Sequence, residues 1–308
     1  MNVLLIGRTK ILLETAKLLI SKNFYIVGII TSKSAIEYEI NENDLKTFAL
    51  IHKIKYLYEP KITLSKLLKF VEGISIDIGV SVNYTSIIPK DVIDQFKLGI
   101  LNAHGGDLPR YRGNACQAWA ILKGEKKIGI CIHKMIGDEL DSGDIIARDY
   151  YPISINTRIS EVYDFFNSVI PKLFIDSINN LIIDSNFFLE KQTDIKKNIL
   201  RCYPRNRDDL KIDWNLSNKQ ILRLINASCE PYQGAFSFVE EKRVIVWRAS
   251  LVNTDYQWLG SPGQFAEFKG DSLVILTGNG KIKLDEIEIG NVRNSPKHFF
   301  KSLRLRFR

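Results

Sequence analysis

Asn102 and His104 stand two residues apart at the end of an apolar run, inside the stretch LNAHGGDLPRYRGNACQAWAI from Leu101 to Ile121. In extended backbone that spacing puts both side chains on the same side, so an amide and an imidazole can converge on one reacting atom. Gly105 and Gly106 follow at once and give the chain freedom to turn beside a ligand. A second polar cluster, GDELDSGDII from Gly137 to Ile146, holds four carboxylates around two glycines. Turn chemistry accounts for Asp138 and Asp144. Asp141 differs by context, since a carboxylate is what would orient a histidine or accept a proton from an attacking amine. His52, His133 and His298 lack such neighbours and read as structural. Gly7, Arg8, Thr9 and Lys10 suit a phosphate at a helix start, but G-x-G-x-x-G is missing, so neither NAD nor ATP is inferred.

These residues need a frame that brings them together. Val3 to Ile6 is a short apolar run ending at Gly7, a helical pattern follows through Leu12, Leu13, Ala16 and Leu19, and a second apolar run covers Tyr25 to Ile30. The alternation continues with a helix near Thr63 to Val71, a strand at Ile76 to Val82, a helix near Lys90 to Phe96 and a strand at Gly99 to Asn102. This predicts an α/β domain with a mostly parallel sheet covered by helices on both faces, whose strand ends are where ligands bind. A helix at Ala115 to Leu122, strands near Gly129 to Lys134 and Ile145 to Tyr151, and a long helix near Ile159 to Ile182 complete a catalytic domain over residues 1–183. Residues 184–200 are polar and lack clean periodicity, which predicts a linker. Residues 201–308 change in texture: one helix near Lys219 to Ala227, then short strands at Ala235 to Val239, Val244 to Leu251, Leu273 to Thr277 and Lys281 to Ile289. A small β-rich barrel fits that pattern.

Length and composition agree with two domains. The chain has 308 residues, 45% hydrophobic and 25% charged, and no segment approaches the run of ~20 apolar residues that spans a bilayer. The start has an apolar beginning without a basic leader or a small-residue cleavage site, so a soluble protein of the cytoplasm, with no membrane partner, is expected. Cys116, Cys131, Cys202 and Cys229 form no close pair and read as reduced, structural thiols rather than a disulfide framework or zinc site. The net charge of +8 suits an anionic partner, but the basic residues are scattered and do not demand nucleic acid. They concentrate at the end, in Lys301, Arg304, Arg306 and Arg308, where Phe299, Phe300 and Phe307 can dock on a core.

At this point the residues resemble the formyltransferase family that uses 10-formyltetrahydrofolate. Its hallmarks are Asn-x-His, then Leu-Pro-x-Tyr-Arg-Gly, then Asp-x-Gly. Asn102-Ala103-His104, Leu108-Pro109-Arg110-Tyr111-Arg112-Gly113 and Asp141-Ser142-Gly143 match in that order, with Ser86-Ile87-Ile88-Pro89 upstream. Pro204-Arg205, Asp209, Ile212-Asp213-Trp214 and Pro231-Tyr232-Gln233-Gly234-Ala235-Phe236 resemble the family's C-terminal domain. The resemblance implies a Rossmann-like formyltransferase domain followed by an OB-like barrel. Many members have Pro-Ser where this chain has Gly105-Gly106. Members acting on initiator tRNA usually carry a small residue and a proline where this chain has Asn114-Ala115. The pattern is more similar to the bacterial branch that formylates amino groups of nucleotide-linked deoxysugars for surface polysaccharide such as O-antigen.

That resemblance implies roles. Asn102 and His104 would stabilise the oxygen that turns negative when the formyl carbon becomes tetrahedral, and Asp141 would orient His104 and help remove the amine's proton. Backbone groups of Ser86, Ile87 and Ile88, and of Ile136, Gly137, Asp138, Glu139 and Leu140, would hold the pterin of the co-substrate, with Arg112 nearby. No metal is required. A nucleotide-linked amino sugar brings a diphosphate, for which Arg8 and Lys10 are the contacts proposed. Tyr232 and Trp214 would stack on a base or fill a core. Formylation of methionyl-tRNA, hydrolysis of the formyl-folate, and a non-catalytic folate or nucleotide-sugar binding protein stand as alternatives. A homodimer is the default assembly.

Overall fold

The computed structural model describes residues 1–192, 198–253, 256 and 258–308. Residues 193–197, inside the expected linker, lie outside the described residues. The chain divides into two compact units, one of Met1–Cys116, Ile128–Tyr151 and Tyr163–Tyr203, the other of Gln117–Lys127, Pro152–Val162 and Pro204–Arg308. The family-like α/β and antiparallel β architectures expected from sequence are both present.

The first unit is built on β1 (Asn2–Gly7), α1 (Lys10–Ser21), β2 (Tyr25–Thr31), α2 (Glu42–Ile51), β3 (Lys55–Tyr58), α3 (Leu64–Val71), β4 (Ile78–Val82), α4 (Lys90–Ile93) and β5 (Ile100–His104). Then come the short β6 (Arg112–Gly113), α5 (Cys116–Lys123), β7 (Lys127–Lys134), β8 (Ile145–Pro152), α6 (Ile159–Ile183) and β9 (Arg201–Cys202). Seven strands form one sheet in the order β3-β2-β1-β4-β5-β7-β8. The β1–β2, β1–β4, β2–β3 and β4–β5 pairs are parallel, whereas β5–β7 is antiparallel. Val3, Leu4, Leu5 and Ile6 all have 0% exposure, so both faces of β1 are covered, as a parallel sheet flanked by helices requires. Leu4 and Ile6 pack on one face with Leu67, Val71, Val92 and Phe96.

At the carboxyl end of β1, a Cβ on Gly7 would lie 2.0 Å from the Val82 carbonyl oxygen at φ 141, so glycine alone allows β1 and β4 to end side by side. Two elements, α2 and β3, have no clear periodic signature in the sequence. The α2 start carries a capping box, with Asn41 and Asp44 exchanging side-chain and backbone hydrogen bonds. β3 is a half-buried edge strand of four residues, too short for alternation to register. β5 runs through His104 rather than stopping at Asn102.

The second unit contains α7 (Asn218–Asn226), β10 (Ala235–Val239), β11 (Lys242–Leu251), β12 (Phe265–Lys269), β13 (Ser272–Leu276), β14 (Lys281–Ile289), β15 (Val292–Asn294) and α8 (Pro296–Phe299). The strands form an antiparallel sheet in the order β10-β11-β14-β13-β12, with β15 on β14. The C-terminal residues close it: Phe307 bridges Val239 of β10, and Arg306 bridges Gln264 at the start of β12. Both edge strands are thereby covered in the barrel-like manner expected. Phe307 is 2% exposed, stacks 4.8 Å from the Trp214 ring and lies 5.3 Å from Phe265. The basic tail is therefore carried on a packed aromatic seam. Replacing Phe307 with alanine should lower the unfolding free energy by about 3 to 5 kcal/mol in urea titrations, whereas Lys301→Ala on the same tail should change it by less than about 0.5 kcal/mol.

Candidate active site

β5 positions the first two residues of the site. Asn102 pairs in register with Ser81 of β4 on one side and His133 of β7 on the other, and His104 pairs with Cys131. The period of two puts the Asn102 and His104 side chains on the same face. His104 is buried at 7% exposure. Its Nε2 donates to the Tyr111 carbonyl at 2.6 Å, and its Nδ1 lies 3.4 Å from Asp141 Oδ2. Both ring nitrogens thus face oxygen acceptors.

His133, which the sequence presents as structural, belongs to this cluster. Its Nδ1–H donates to the Lys134 carbonyl at 3.0 Å, and its Nε2 lies 3.1 Å from Asn102 Nδ2. The same Nε2 is 3.7 Å from Asp141 Oδ1. His133 therefore holds the Asn102 amide on its strand face. The signal available in sequence was indirect: His133 precedes Asp141 by only eight residues, and its antiparallel register with Asn102 is invisible without the sheet.

Asp141 is the point where these groups meet. Its side chain is 9% exposed and its Oδ2 also accepts the Gly113 N–H at 2.9 Å. Burial by itself pushes the carboxyl up, but the charge of His104, the His133 contact and the Gly113 N–H together hold it well below the usual carboxylate range. The loop that carries it is sterically specified, since a Cβ on Gly143 would lie 1.8 Å from the Lys134 carbonyl oxygen. Gly106 has a similar role, because a Cβ there would meet the Tyr111 oxygen at 2.3 Å and His104 Nε2 at 2.6 Å. Cys116 Sγ donates to the Tyr111 carbonyl at 2.9 Å. The neighbouring Cys202 thiol and then burial push Cys116 up, so it is a packed thiol and no nucleophile.

The segments expected to hold a pterin lie together. Gly137 sits so close to Lys90 that a Cβ would be 2.4 Å from the Lys90 Cα, which brings the 136–140 loop against the 86–90 segment. Ile87 and Ile136 are exposed by 51% and 45%, whereas Ile88 is fully buried in the core, leaving its backbone as the available part. Ser86 Oγ donates to the Pro60 carbonyl at 3.0 Å. Asp138 adopts φ 62; Asp138 and Glu139 are exposed and Leu140 half-buried. Arg112 is 9% exposed, gives Nη2 to Gln192 Oε1 at 2.8 Å, and keeps a buried Nε with no partner among the described residues. A buried guanidinium with an unmet donor suits an anionic or carbonyl-bearing ligand.

Arg8 and Lys10 stand at the carboxyl end of β1, along the same edge of the sheet as His104. Arg8 donates to the carbonyls of Lys33 at 2.6 Å and Asn83 at 2.8 Å and lies over the Tyr38 ring at 5.2 Å. Lys10 is paired with Glu39 at 2.6 Å. Tyr232 belongs to the second unit, in the turn before β10, where its N–H donates to Cys229 at 3.0 Å. Trp214 fills that unit's core at 4% exposure, with its indole N–H on Ser237 at 2.8 Å. Among the described residues no group of three or more His, Cys, Asp or Glu could hold a metal ion, and no helix is long and apolar enough to cross a membrane.

A mostly parallel sheet with a half-buried amide, buried imidazoles and a compensated carboxylate at its carboxyl edge defines an α/β enzyme of acyl-group chemistry. The Formyl transferase model matches residues 1–178 and the Formyl transferase, C-terminal domain model matches residues 205–304. The chain belongs to the formyl transferase family, enzymes that move a formyl group from a formyl-tetrahydrofolate. It is 28% identical over 295 residues to the methionyl-tRNA formyltransferase of Alkaliphilus oremlandii, covering 94% of this chain and 92% of that one. Its fold is similar to that of an N-formyltransferase from Helicobacter canadensis solved with folinic acid and dTDP-3-aminofucose, at TM-score 0.67 and 20% identity over 92% of this chain and 98% of that one. It is also similar to HypX from Aquifex aeolicus at TM-score 0.62 and 17% identity, where 97% of this chain spans 46% of the larger protein.

The compensation of Asp141 has a pH signature. A carboxyl held down in the folded state contributes stability that is fully present above its unfolded pKa of ~3.9 and is lost as pH falls towards the folded value. Urea midpoints of the wild type and Asp141→Asn should therefore differ fully above about pH 4 and draw together progressively as the pH falls below it.

Proposed function

We propose that this enzyme formylates the amine of a nucleotide-linked amino-deoxysugar, with Asn102, His104 and Asp141 as its catalytic residues. The observation that carries formyl transfer is the cluster itself, in which the Asn102 amide and the His104 ring share one strand face and the Asp141 carboxylate lies against His104. The formyl-tetrahydrofolate supplies an activated formyl carbon. Asn102 and His104 stabilise the carbonyl oxygen as the amine nitrogen forms its new C–N bond, His104 Nε2–H being shared between that oxygen and Tyr111. Asp141 orients His104 and helps remove the proton that the amine loses, and that proton passes to the folate nitrogen as the bond from the formyl carbon to it breaks. Arg112, with its unmet Nε, and the backbone of residues 86–88 and 136–140 hold the donor.

A phosphate-bearing substrate is supported by the start of α1. That helix has no side-chain cap, and Thr9 at its N-cap position is 7% exposed with its Oγ1 unpartnered among the described residues. Together with Arg8 and the positive end of the helix, this suits the diphosphate of a nucleotide sugar. Lys10, drawn to Glu39, contributes by exchanging partners. The dTDP-amino sugar bound to the Helicobacter canadensis enzyme is of this substrate class. We assign the chemistry to residues 1–183, joined by 184–200 to a β-rich part over 201–308, in a cytoplasmic homodimer serving surface-polysaccharide synthesis.

A second reading, formylation of methionyl-tRNA, is favoured by the similarity to the Alkaliphilus oremlandii enzyme along nearly its whole length. Purified protein supplied with 10-formyltetrahydrofolate and a panel of amino-deoxysugars linked to dTDP, UDP or GDP separates the two. We expect a formyl mass gain on one sugar, with Asn102→Ala and His104→Ala each slowing it about 100- to 1000-fold. Turnover on methionyl-tRNA with none on any sugar would establish the second reading.

A further inference from the structure

Gln192 lies beyond every motif that the sequence singles out, yet both ends of its amide are hydrogen-bonded beside the site. It follows a segment tied to β8, where Ile145 donates to the Glu190 carbonyl at 2.8 Å and accepts from the Leu189 N–H at 2.8 Å. Its Nε2 donates to two carbonyls of the acidic loop, Asp141 at 2.9 Å and Gly143 at 2.7 Å. Its Oε1 accepts from Arg112 Nη2 at 2.8 Å. One side chain thus joins the backbone that presents the Asp141 carboxylate to the guanidinium proposed to meet the donor.

The chemistry of these contacts selects an amide. Two carbonyls need donors and a guanidinium needs an acceptor, which a glutamine supplies at once. A glutamate of the same shape keeps the acceptor but sets a carboxylate against two carbonyl oxygens. A lysine keeps donors and repels Arg112. The loop also needs holding, because Asp141 adopts φ 51, a left-handed conformation that a non-glycine residue keeps only when its surroundings enforce it. Gly143 pressed on the Lys134 carbonyl limits the loop from one side, and Gln192 ties its carbonyls from the other.

We infer that Gln192 is a positioning residue for formyl transfer, aligning Asp141 with His104 and His133 and coupling that alignment to Arg112. The inference rests on the formyl transfer proposed above and adds to it a residue outside the family's hallmark motifs. Its reach extends to donor binding, since Arg112 and Asp141 share one clamp and a displacement of either strains the other.

The test uses the full chain with Gln192→Ala and Gln192→Glu, read in two ways. The first is steady-state formyl transfer on the sugar found by the panel. We expect kcat to fall about 100-fold in Gln192→Glu and at least about 10-fold in Gln192→Ala, while KM for the amine stays within about threefold. The acid limb of the kcat profile should move to higher pH, because an Asp141 no longer aligned with His104, His133 and the Gly113 N–H loses what holds its carboxyl down. The second is the 13C NMR titration of the Asp141 carboxyl, which needs no substrate and should move upward towards the ordinary ~3.9 in Gln192→Ala. If Gln192→Ala loses its cooperative melt, Gln192→Glu carries both readouts. An Asp141 titration like that of the wild type, or a kcat within about threefold, would overturn the inference. If the wild type formylates no amine while the Asp141 titration still moves, the proposed function fails and the positioning role stands.

Discussion

The first unit is organised around a charge taken out of water. An ionised carboxylate at 9% side-chain exposure is costly unless its lone pairs and its charge are met locally. At Asp141 they are met from three directions: His104 from β5, His133 from β7 and the Gly113 N–H from the strand fragment β6. Each partner comes from a different stretch of chain. The carboxylate is compensated only when the β5–β7 pairing, the 105–113 loop and the 137–143 loop are all formed, which makes the site a consequence of completed folding. The same compensation orients both imidazoles, and through His133 it orients the Asn102 amide. Stability and catalytic geometry are therefore properties of one hydrogen-bonded cluster.

Backbone conformation around this cluster is unusually constrained. Tyr111, Ala115, Asp138 and Asp141 all adopt left-handed φ, between 51° and 62°, in segments that converge on the site. Such conformations cost energy and are kept where packing overrides local preference. Their effect here is to aim carbonyls inward. The Tyr111 oxygen reaches both His104 and Cys116, and the carbonyls of Asp141 and Gly143 reach Gln192. The Arg148 guanidinium adds a brace from β8, bonding Asp107 at 2.5 Å, the Leu108 carbonyl at 2.7 Å and Glu190 at 2.9 Å. The loop that follows His104 is thus held at both ends before any ligand arrives, as a site that acts through prearranged donors requires.

The second unit solves a different problem. An antiparallel sheet leaves its edge strands with unpaired backbone groups, and here the chain's last residues cover both β10 and the start of β12. The aromatic seam of Trp214, Phe265 and Phe307 anchors that closure. Basic residues of the tail stand on this packed strip, with Arg306 Nε bonded to the Pro262 carbonyl at 2.9 Å. Their positive charge is a surface feature of a closed sheet rather than of a loose extension.

Much of this molecule was legible as sequence. Unbroken apolar runs such as Val3–Ile6 report burial on both faces, and their alternation with amphipathic segments specifies a parallel α/β sheet because few other arrangements bury both patterns. The short-range chemistry was legible too: the i, i+2 spacing of Asn102 and His104 survives as a shared strand face because strand geometry is local. What the tertiary structure alone decided are the long-range pairings. His133 joins the site through antiparallel register with Asn102, 31 residues away. Gln192 reaches Arg112 across 80 residues and the Asp141 loop across about 50. Neither has a periodic or motif signature, since a single imidazole or amide acquires its role only from which carbonyls and charges the fold sets opposite it. Spacing along the chain determines which side chains share a face; only the completed sheet and its loops determine what those side chains meet.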